Sequence, residues 1–299
     1  MIFVFLASSA ILIYVYSVSY KHKSGGDMDS VFEVTDKINL DNSSTSTGVT
    51  ELTIKTSTIL NILTFGDSLT AGWYEHGSKY HPYSIELEHL IDLKFKQEKI
   101  NKHVEINQKG RSGERTEHMR GRLSQILHTN TNDIFNIICI LGGTNDLSEY
   151  KSKQAIEIFN NLKYLYEMSI ESNPNIQLVV ISIPQSGVVV PQYMELRTQV
   201  NILIQDYVNK YNQKIDSNAS TTINSNITTT TTTDTTSTTN TTTTSIKPMI
   251  YVDIEHLLPY NNINTNTMDT THWDDTLHMT PTGYDLFGRI VYEHIEARL

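Results

Sequence analysis

Residues 59–73, ILNILTFGDSLTAGW, join a short apolar run to a turn with glycine at both ends. The run at 59–65 is rich in isoleucine and leucine, which is typical of a buried strand. The turn at 66–72 places Ser68 where the chain leaves that strand. Serine and aspartate are also preferred helix N-caps, so the turn alone leaves two interpretations open, a catalytic serine and a structural cap.

The same strand pattern recurs along the chain and alternates with helical patterns. Further apolar, β-rich runs lie at 103–107, 134–142, 176–184 and 249–255. Amphipathic helical patterns lie at 83–98, 115–128, 152–171, 192–214 and 281–298. This alternation predicts a three-layer α/β/α domain, with a five-stranded parallel sheet covered on both faces. Ligands of such sheets bind beyond the carboxyl ends of the strands, so the chemistry should follow each strand directly.

Two glycine-containing loops follow predicted strands. The first is GRSGERT at 110–116, whose glycines allow backbone N–H groups to approach a ligand closely. The second is GGTND at 142–146, where the amide of Asn145 is placed to donate a hydrogen bond into a pocket. Each loop also has a structural explanation, since the first is a tight strand-to-helix turn and Asn145 can cap a helix.

The segment DTLHMTPTGY at 275–284 holds a carboxylate and an imidazole just before the last predicted helix. Thr280 and Pro281 suit the N-cap and the first residue of that helix, so His278 lies in the preceding loop. The spacing of Asp275 and His278 allows the carboxylate to fold back onto the imidazole within one turn. A lone histidine is more often structural than catalytic, but this one has a carboxylate beside it and a candidate serine after the first strand.

Together these four segments resemble the motifs of the SGNH hydrolase family, also called GDSL-type esterases and lipases. GDSLTAG is similar to the nucleophile block of that family, GRSGERT to its glycine block, GGTND to its asparagine block and DTLHMTPTGY to its aspartate and histidine block. The resemblance covers most of residues 58–299 and implies a flavodoxin-like order of strands. The sequence holds no G-x-S-x-G turn, so the other large serine-esterase fold is not supported.

The resemblance implies a carboxylic-ester hydrolase that works through an acyl-enzyme. Ser68 would be the nucleophile, His278 the general base, and Asp275 the carboxylate that orients the imidazole. The oxyanion would be held by the backbone N–H groups of Ser68 and Gly113 and by the side-chain amide of Asn145. No metal or organic cofactor is implied.

Functions from two other classes are alternatives. A degenerate hydrolase of the same fold would bind an acylated or glycan ligand without turnover, although all the expected motif residues are present. A membrane-tethered structural glycoprotein would explain the polar segments but would leave the ordered motifs as coincidence. Within the enzyme class, the family spans lysophospholipids, acyl thioesters, acetylated sugars and aryl esters. The expected partner is therefore a small-molecule, lipid or glycan ester, and the sequence does not choose among them.

Aromatic residues cluster after the nucleophile motif, at Trp73, Tyr74, Tyr80 and Tyr83. They fit two interpretations equally, the wall of an acyl or aryl pocket and core packing under the first helix. His76 and His81 lie nearby, but no third residue has the spacing of a metal ligand.

The first twenty residues carry no charge and are mostly apolar, which predicts a signal peptide or membrane anchor at 1–20. A small-x-small site at 17–19 favours cleavage, whereas the missing basic residues before the apolar run argue against an ordinary signal peptide. Lys21 and Lys23, just after the run, would place an uncleaved protein in the cytosol. Four Asn-x-Ser/Thr triplets favour the secretory pathway, which is our expectation; they begin at Asn42, Asn218, Asn226 and Asn240.

Two segments are too polar to pack into a core. Residues 21–57 show no sustained helical or strand period and are expected to form a stalk. Within 221–245, 16 of 25 residues are threonine, so we expect a disordered insertion at 217–246 in the domain that spans 58–299.

The overall composition excludes several classes of protein. The chain has 23 basic and 33 acidic side chains and a net charge of −10, so nucleic acid is not an expected partner. Cys139 is the single cysteine of the sequence, which excludes an intramolecular disulfide and the ligand set of a structural zinc site.

Overall fold

A computed structural model describes residues 5–7, 10–12, 58–129, 135–225, 246–262 and 266–299. The elements that build the candidate site all lie in one compact unit, Lys55–Leu299. The expected stalk at 21–57 lies outside the described residues, as do Asn42, Asn226 and Asn240 of the expected glycosylation triplets.

Five parallel strands form the central sheet of this unit. They are β1 (Thr58–Gly66), β2 (Lys102–Gly110), β3 (Ile137–Ile140), β4 (Gln177–Ile181) and β5 (Ile250–Val252). Their order across the sheet is β2-β1-β3-β4-β5, and each neighbouring pair is parallel. This is the flavodoxin-like order expected from the motif resemblance.

The main helices cover both faces of the sheet. They are α1 (Ser84–Gln97), α2 (Thr116–Thr129), α3 (Ala155–Ser172), α4 (Pro191–Ser225) and α5 (Pro281–Ile295). Helices α1 and α5 pack together on one face, while α3 packs against α2 and α4 on the other. The three-layer α/β/α fold class is therefore confirmed.

Two hydrophobic cores, one on each face, explain why the strands are continuous apolar runs. In β1, Ile62 belongs to the core under α1 and α5, whereas its neighbour Leu63 belongs to the core under α2, α3 and α4. Both side chains are fully buried because successive residues of a strand point to opposite faces. Cys139 of β3 is also buried in the first of these cores.

The end of α4 differs from the sequence-based expectation. We expected a helix at 192–214 and a disordered insertion from 217, but the helix continues to Ser225. Once a helix is nucleated, each added residue gains a backbone hydrogen bond at little cost, so a polar continuation is tolerated. Residues 226–245 of the expected insertion lie outside the described ranges.

The apolar segment at 1–20 is described only at Phe5–Ala7 and Ala10–Leu12, which are two short strands paired antiparallel. Among the helices of the described ranges, none is both long enough and apolar enough to cross a membrane. A signal peptide or anchor at 1–20 stays a prediction.

Candidate active site

The loops that carry the motifs meet because the strand ends are aligned. Gly66, the last residue of β1, lies opposite Gly110, the last residue of β2. On the other side of β1, the N–H of Leu141 donates to the carbonyl of Phe65 at 3.0 Å. A Cβ at Gly110 would overlap the backbone of Ala71, so glycine permits the close approach of the first two loops.

Ser68 is held at the exit of β1 by a one-turn helix, Ser68–Ala71. Asp67 caps this helix, since its Oδ1 accepts the N–H of Leu69 at 3.0 Å. The N–H of Ser68 is the first of the helix and precedes the intrahelical hydrogen bonds. Ser68 therefore places two groups at the end of β1, its hydroxyl and a backbone N–H that has no acceptor within the helix.

The structure brings Ser68, His278 and Asp275 into one hydrogen-bonded chain. Ser68 Oγ lies 3.1 Å from Nε2 of His278, across 210 positions of sequence. The other ring nitrogen, Nδ1, lies 3.0 Å from Oδ2 of Asp275. A carboxylate against Nδ1 favours the tautomer with its proton there, which leaves Nε2 free to accept the serine proton. The pair is shielded, with Ser68 4% exposed and His278 8% exposed.

The loop that carries Asp275 is bonded onto itself. Oδ1 of Asp275 accepts the backbone N–H groups of Leu277 at 2.7 Å and of His278 at 2.6 Å. Partial burial acts to raise the pKa of Asp275, but these bonds and the contact with the imidazole outweigh it and hold that pKa below its usual range. The carboxylate is therefore ionised where His278 needs a negative partner.

The pKa of His278 is lowered because burial disfavours the charged imidazolium. Asp275 opposes this effect through its hydrogen bond and its charge, and the charge of Asp274 acts in the same direction. The base is therefore neutral near pH 7, while its positive form has a carboxylate in place to stabilise it.

Gly113 and Asn145, the other two expected oxyanion donors, line one open cavity of about 300 Å³. Gly113 has φ +76°, a conformation that glycine adopts without strain. The side-chain amide of Asn145 donates to the carbonyl of Glu114 at 2.9 Å, which uses one of its two hydrogens. The remaining walls of the cavity are Arg115, Thr144, Ser148, Val188, Tyr193, Thr276 and Leu277.

A partly buried ion pair that sequence reasoning missed supports the Gly113 loop. Glu114 is 6% exposed, and its Oε2 accepts Nε of Arg122 at 2.9 Å. The same guanidinium donates to the carbonyls of Lys109 at 2.7 Å and Gly66 at 2.9 Å. The pair thus joins the ends of β1 and β2 to the loop, and the spacing of eight positions between Glu114 and Arg122 gave no motif that would reveal it.

Asp67 and Asp146 are two fully buried acids near this site. Asp146 is well bonded, to the N–H and hydroxyl of Thr116 and to Lys153. Asp67, in contrast, has no hydrogen-bond partner for Oδ2 among the described residues. Burial raises the pKa of Asp67 to about 7, and the negative charges of Asp146 and Glu114 add to the effect.

The aromatic residues after the nucleophile motif serve different purposes. Tyr83 is fully buried and stacks on Phe287, so it is a core residue. Tyr80 is 58% exposed. Trp73 lies against the imidazole of His278, with 3.9 Å between the ring centroids. The core interpretation therefore holds for Tyr83, and none of the four aromatic residues is among those that line the open cavity of about 300 Å³.

The two histidines near the nucleophile motif, His76 and His81, have different surroundings. His81 pairs with Asp285 at 2.7 Å, and His76 lies exposed in a turn. Among the described residues, one group has the spacing of a metal site, and it is formed elsewhere by Asp253, Glu255 and His256. Its atoms already pair, His256 with Asp253 and Glu255 with Arg197.

Comparison with known proteins identifies related chains. Residues 64–225 match the GDSL-like Lipase/Acylhydrolase family. This match includes Ser68, Gly113 and Asn145 and ends before Asp275 and His278, which are joined to the site by the geometry described above. None of the curated proteins compared with the chain matches it.

Solved structures with the same fold share little sequence with this chain. A lipase/acylhydrolase from Enterococcus faecalis is 17% identical, with 80% of this chain and 97% of that one covered and a TM-score of 0.53. A lipolytic protein of the G-D-S-L family from Veillonella parvula is 16% identical, with 80% and 100% covered and a TM-score of 0.53. A variant of an acetyl xylan esterase from Geobacillus stearothermophilus is 13% identical, with 81% and 97% covered and a TM-score of 0.52.

Proposed function

Because the chain belongs to the GDSL-like lipase/acylhydrolase family and is a hydrolase of ester bonds, we propose that it acts through an acyl-enzyme formed on Ser68. The observation that carries the proposal is the chain of contacts from Ser68 Oγ to His278 Nε2 and from His278 Nδ1 to Asp275. An unassisted serine hydroxyl is a weak nucleophile near neutral pH, and this arrangement supplies the base that it needs.

In the first half of the proposed reaction, Ser68 Oγ forms a bond to the carbonyl carbon of the ester. Its proton passes to Nε2 of His278, and Asp275 stabilises the imidazolium that results. The carbonyl oxygen becomes an oxyanion, which accepts hydrogen bonds from the N–H groups of Ser68 and Gly113 and from Nδ2 of Asn145. When the carbon–oxygen bond of the ester breaks, His278 returns the proton to the departing alcohol.

In the second half, water takes the place of the alcohol. His278 accepts a proton from the water as its oxygen attacks the acyl carbon, and the same donors hold the second oxyanion. Collapse of this intermediate releases the carboxylic acid, and the proton on His278 returns to Ser68 Oγ. The low pKa of His278 keeps the base free to begin each half of the cycle near pH 7.

The cavity beside Gly113 and Asn145 is the proposed place for one side of the ester. Its walls mix apolar groups, such as Val188 and Leu277, with the hydroxyls of Thr144 and Ser148. A volume of about 300 Å³ lies at the lower end of small-molecule sites, which supports a small ester substrate.

Substitution of the nucleophile tests this proposal. Hydrolysis of an aryl acetate should fall by about 10⁶-fold in Ser68→Ala, as it does when a serine of such a triad is removed. Ser172→Ala is the matched control, because Ser172 is an exposed serine at the end of α3, outside the motif loops. If a folded Ser68→Ala variant keeps the turnover of Ser172→Ala, the proposal is wrong. Binding of the ester without turnover by the unsubstituted protein would instead support the non-catalytic alternative.

A further inference from the structure

A short hairpin covers the imidazole of the proposed base. Trp73–Tyr74 pairs antiparallel with Lys79–Tyr80, and the turn between them spans Glu75–Gly77. The indole of Trp73 meets the ring of His278 at an interplanar angle of 58°. This contact withdraws one face of the imidazole from water, which contributes to the burial that lowers the pKa of His278.

The turn of this hairpin has an unusual backbone. Glu75, His76 and Gly77 have φ values of +47°, +54° and +82° in succession. Residues with a Cβ rarely adopt such values, so two of the three positions are unfavourable in isolation. A turn of this kind persists where the surrounding structure holds it. Within the hairpin, the hydroxyl of Ser78 donates to the carbonyl of Glu75 at 2.8 Å, and Lys79 pairs with the Glu75 carboxylate at 2.9 Å.

The contact that ties the turn to the rest of the site comes from the loop of the proposed base. Oδ2 of Asp274 accepts the backbone N–H of Glu75 at 2.8 Å, across 199 positions of sequence. Asp274 is itself fixed beside the base, since its N–H donates to the carbonyl of His278 at 2.9 Å. A second tie lies at the start of the hairpin, where the hydroxyl of Tyr284 donates to the carbonyl of Trp73 at 2.9 Å.

We propose that Asp274 is a positioning residue, whose carboxylate anchors the Glu75–Gly77 turn and thereby keeps Trp73 packed on the imidazole of His278. The role differs from that of Asp275, which touches the imidazole directly. Through this anchor, Asp274 acts on the reaction by way of the turn and the indole, in addition to the effect of its charge on His278. The inference rests on the proposed function of His278 as the base.

The side chains at the turn allow the carboxylate contact to be isolated. Asp274→Ala removes the acceptor, whereas Asp274→Asn keeps a carbonyl oxygen for the Glu75 N–H and removes the charge. Glu75→Ala is the matched control, because it removes a carboxylate from the same turn and leaves the backbone N–H in place. The ion pair with Lys79 that it also removes is solvent-exposed and contributes little. A Cβ at Gly77 would overlap the indole, so Gly77→Ala displaces Trp73 by another route.

Intrinsic fluorescence reports the packing of Trp73 without any substrate. A protonated imidazole quenches an indole that it touches, so emission should change as His278 titrates. This step should be present in the unsubstituted protein and absent from Trp73→Phe and His278→Gln. It should persist in Glu75→Ala and Asp274→Asn, and it should disappear in Asp274→Ala and Gly77→Ala.

The kinetic constants complete the test. In Asp274→Ala, kcat for an aryl acetate should fall by about tenfold with KM changed less than about twofold, because a misplaced base slows chemistry more than binding. Asp274→Asn and Glu75→Ala should keep kcat within about threefold. If Asp274→Ala keeps either the fluorescence step or the kcat of Glu75→Ala, the proposal is wrong. Should Asp274→Ala fail to fold, Asp274→Leu, which fills similar space without a hydrogen-bond acceptor, decides by the same two measurements. The fluorescence result does not depend on turnover, so it stays interpretable if Ser68 proves not to be the nucleophile.

Discussion

Asp275 and Asp67 are carboxyl groups on the two sides of the proposed proton transfer, one beside the base and one preceding the nucleophile in sequence. The side chain of Asp275 is 25% exposed and accepts two backbone N–H groups, and its pKa lies below the usual range. Asp67 is fully buried with Oδ2 unpaired among the described residues, and its pKa is raised to about 7.

The difference shows how neighbouring acids of one site acquire different charges. Hydrogen-bond donors around Asp275 favour its ionised form, which is the form that can orient His278 and stabilise its positive charge. Burial around Asp67, together with the charges of Glu114 and Asp146, favours its neutral form. A neutral Asp67 still caps the Ser68 helix, and it places no negative charge next to the developing oxyanion.

Removing the charge of Asp275 tests whether its ionised form orients His278, and this substitution should have a larger effect than the replacement of Asp67. Asp275→Asn keeps the shape of the side chain but favours the wrong imidazole tautomer, so kcat should fall by up to about 10⁴-fold. Asp274→Asn is the neighbouring comparison and should cost about threefold or less, because its amide oxygen can still accept the N–H of Glu75. The measurement is kcat of both variants against one aryl ester at several pH values. A greater loss in Asp274→Asn than in Asp275→Asn would show that the orienting acid is Asp274.

Replacing Asp67 with a residue that does not titrate tests whether Asp67 is neutral in the folded protein. The effect should appear in the pH dependence of stability. Asp67 holds its proton up to about pH 7 in the folded protein but loses it near its ordinary value of 3.8 when unfolded. The folded state therefore binds more protons between these values, and the free energy of unfolding should fall as pH rises through this interval. Across the whole interval, Asp67 should lower the free energy of unfolding by on the order of 4 kcal/mol.

Asp67→Asn mimics the neutral carboxyl and can still cap the helix through its carbonyl oxygen. Urea unfolding at pH 5 and pH 8, with the unsubstituted protein alongside, isolates the contribution of Asp67. The variant should lose less stability between the two pH values than the unsubstituted protein does. An identical loss in both proteins would mean that Asp67 is ionised in the folded state.

The fold was predictable from the sequence because each of its elements is marked by a pattern of neighbouring residues. Each strand is a short apolar run and each helix an amphipathic stretch, so the five strands and the main helices lie close to their expected positions. The strand order followed from the motif resemblance, and it is confirmed. The end of α4 was not predictable in this way, because the composition of 217–225 indicated a polar insertion rather than a helix.

The candidate site was predictable only where residue types and spacing carry a chemical meaning. Ser68, Asp275 and His278 lie in motifs, and the structure brings them within hydrogen-bond distance. The contact of Asp274 with Glu75 joins a side chain to a backbone N–H in a distant segment. Every residue except proline has a backbone N–H, so residue types do not reveal such a donor. The same is true of the backbone carbonyls that accept from Arg122. Contacts of this kind require the folded geometry.

Mapping the residue that reacts with a fluorophosphonate tests the central claim most directly, because the reagent forms a stable bond with a serine activated as a nucleophile. The labelled protein would be digested and the adduct located by mass spectrometry. The account predicts one adduct, on the peptide that contains Ser68, and slower labelling in Asp275→Asn. An enzyme that hydrolyses esters but carries the adduct on another residue, or none at all, would contradict it.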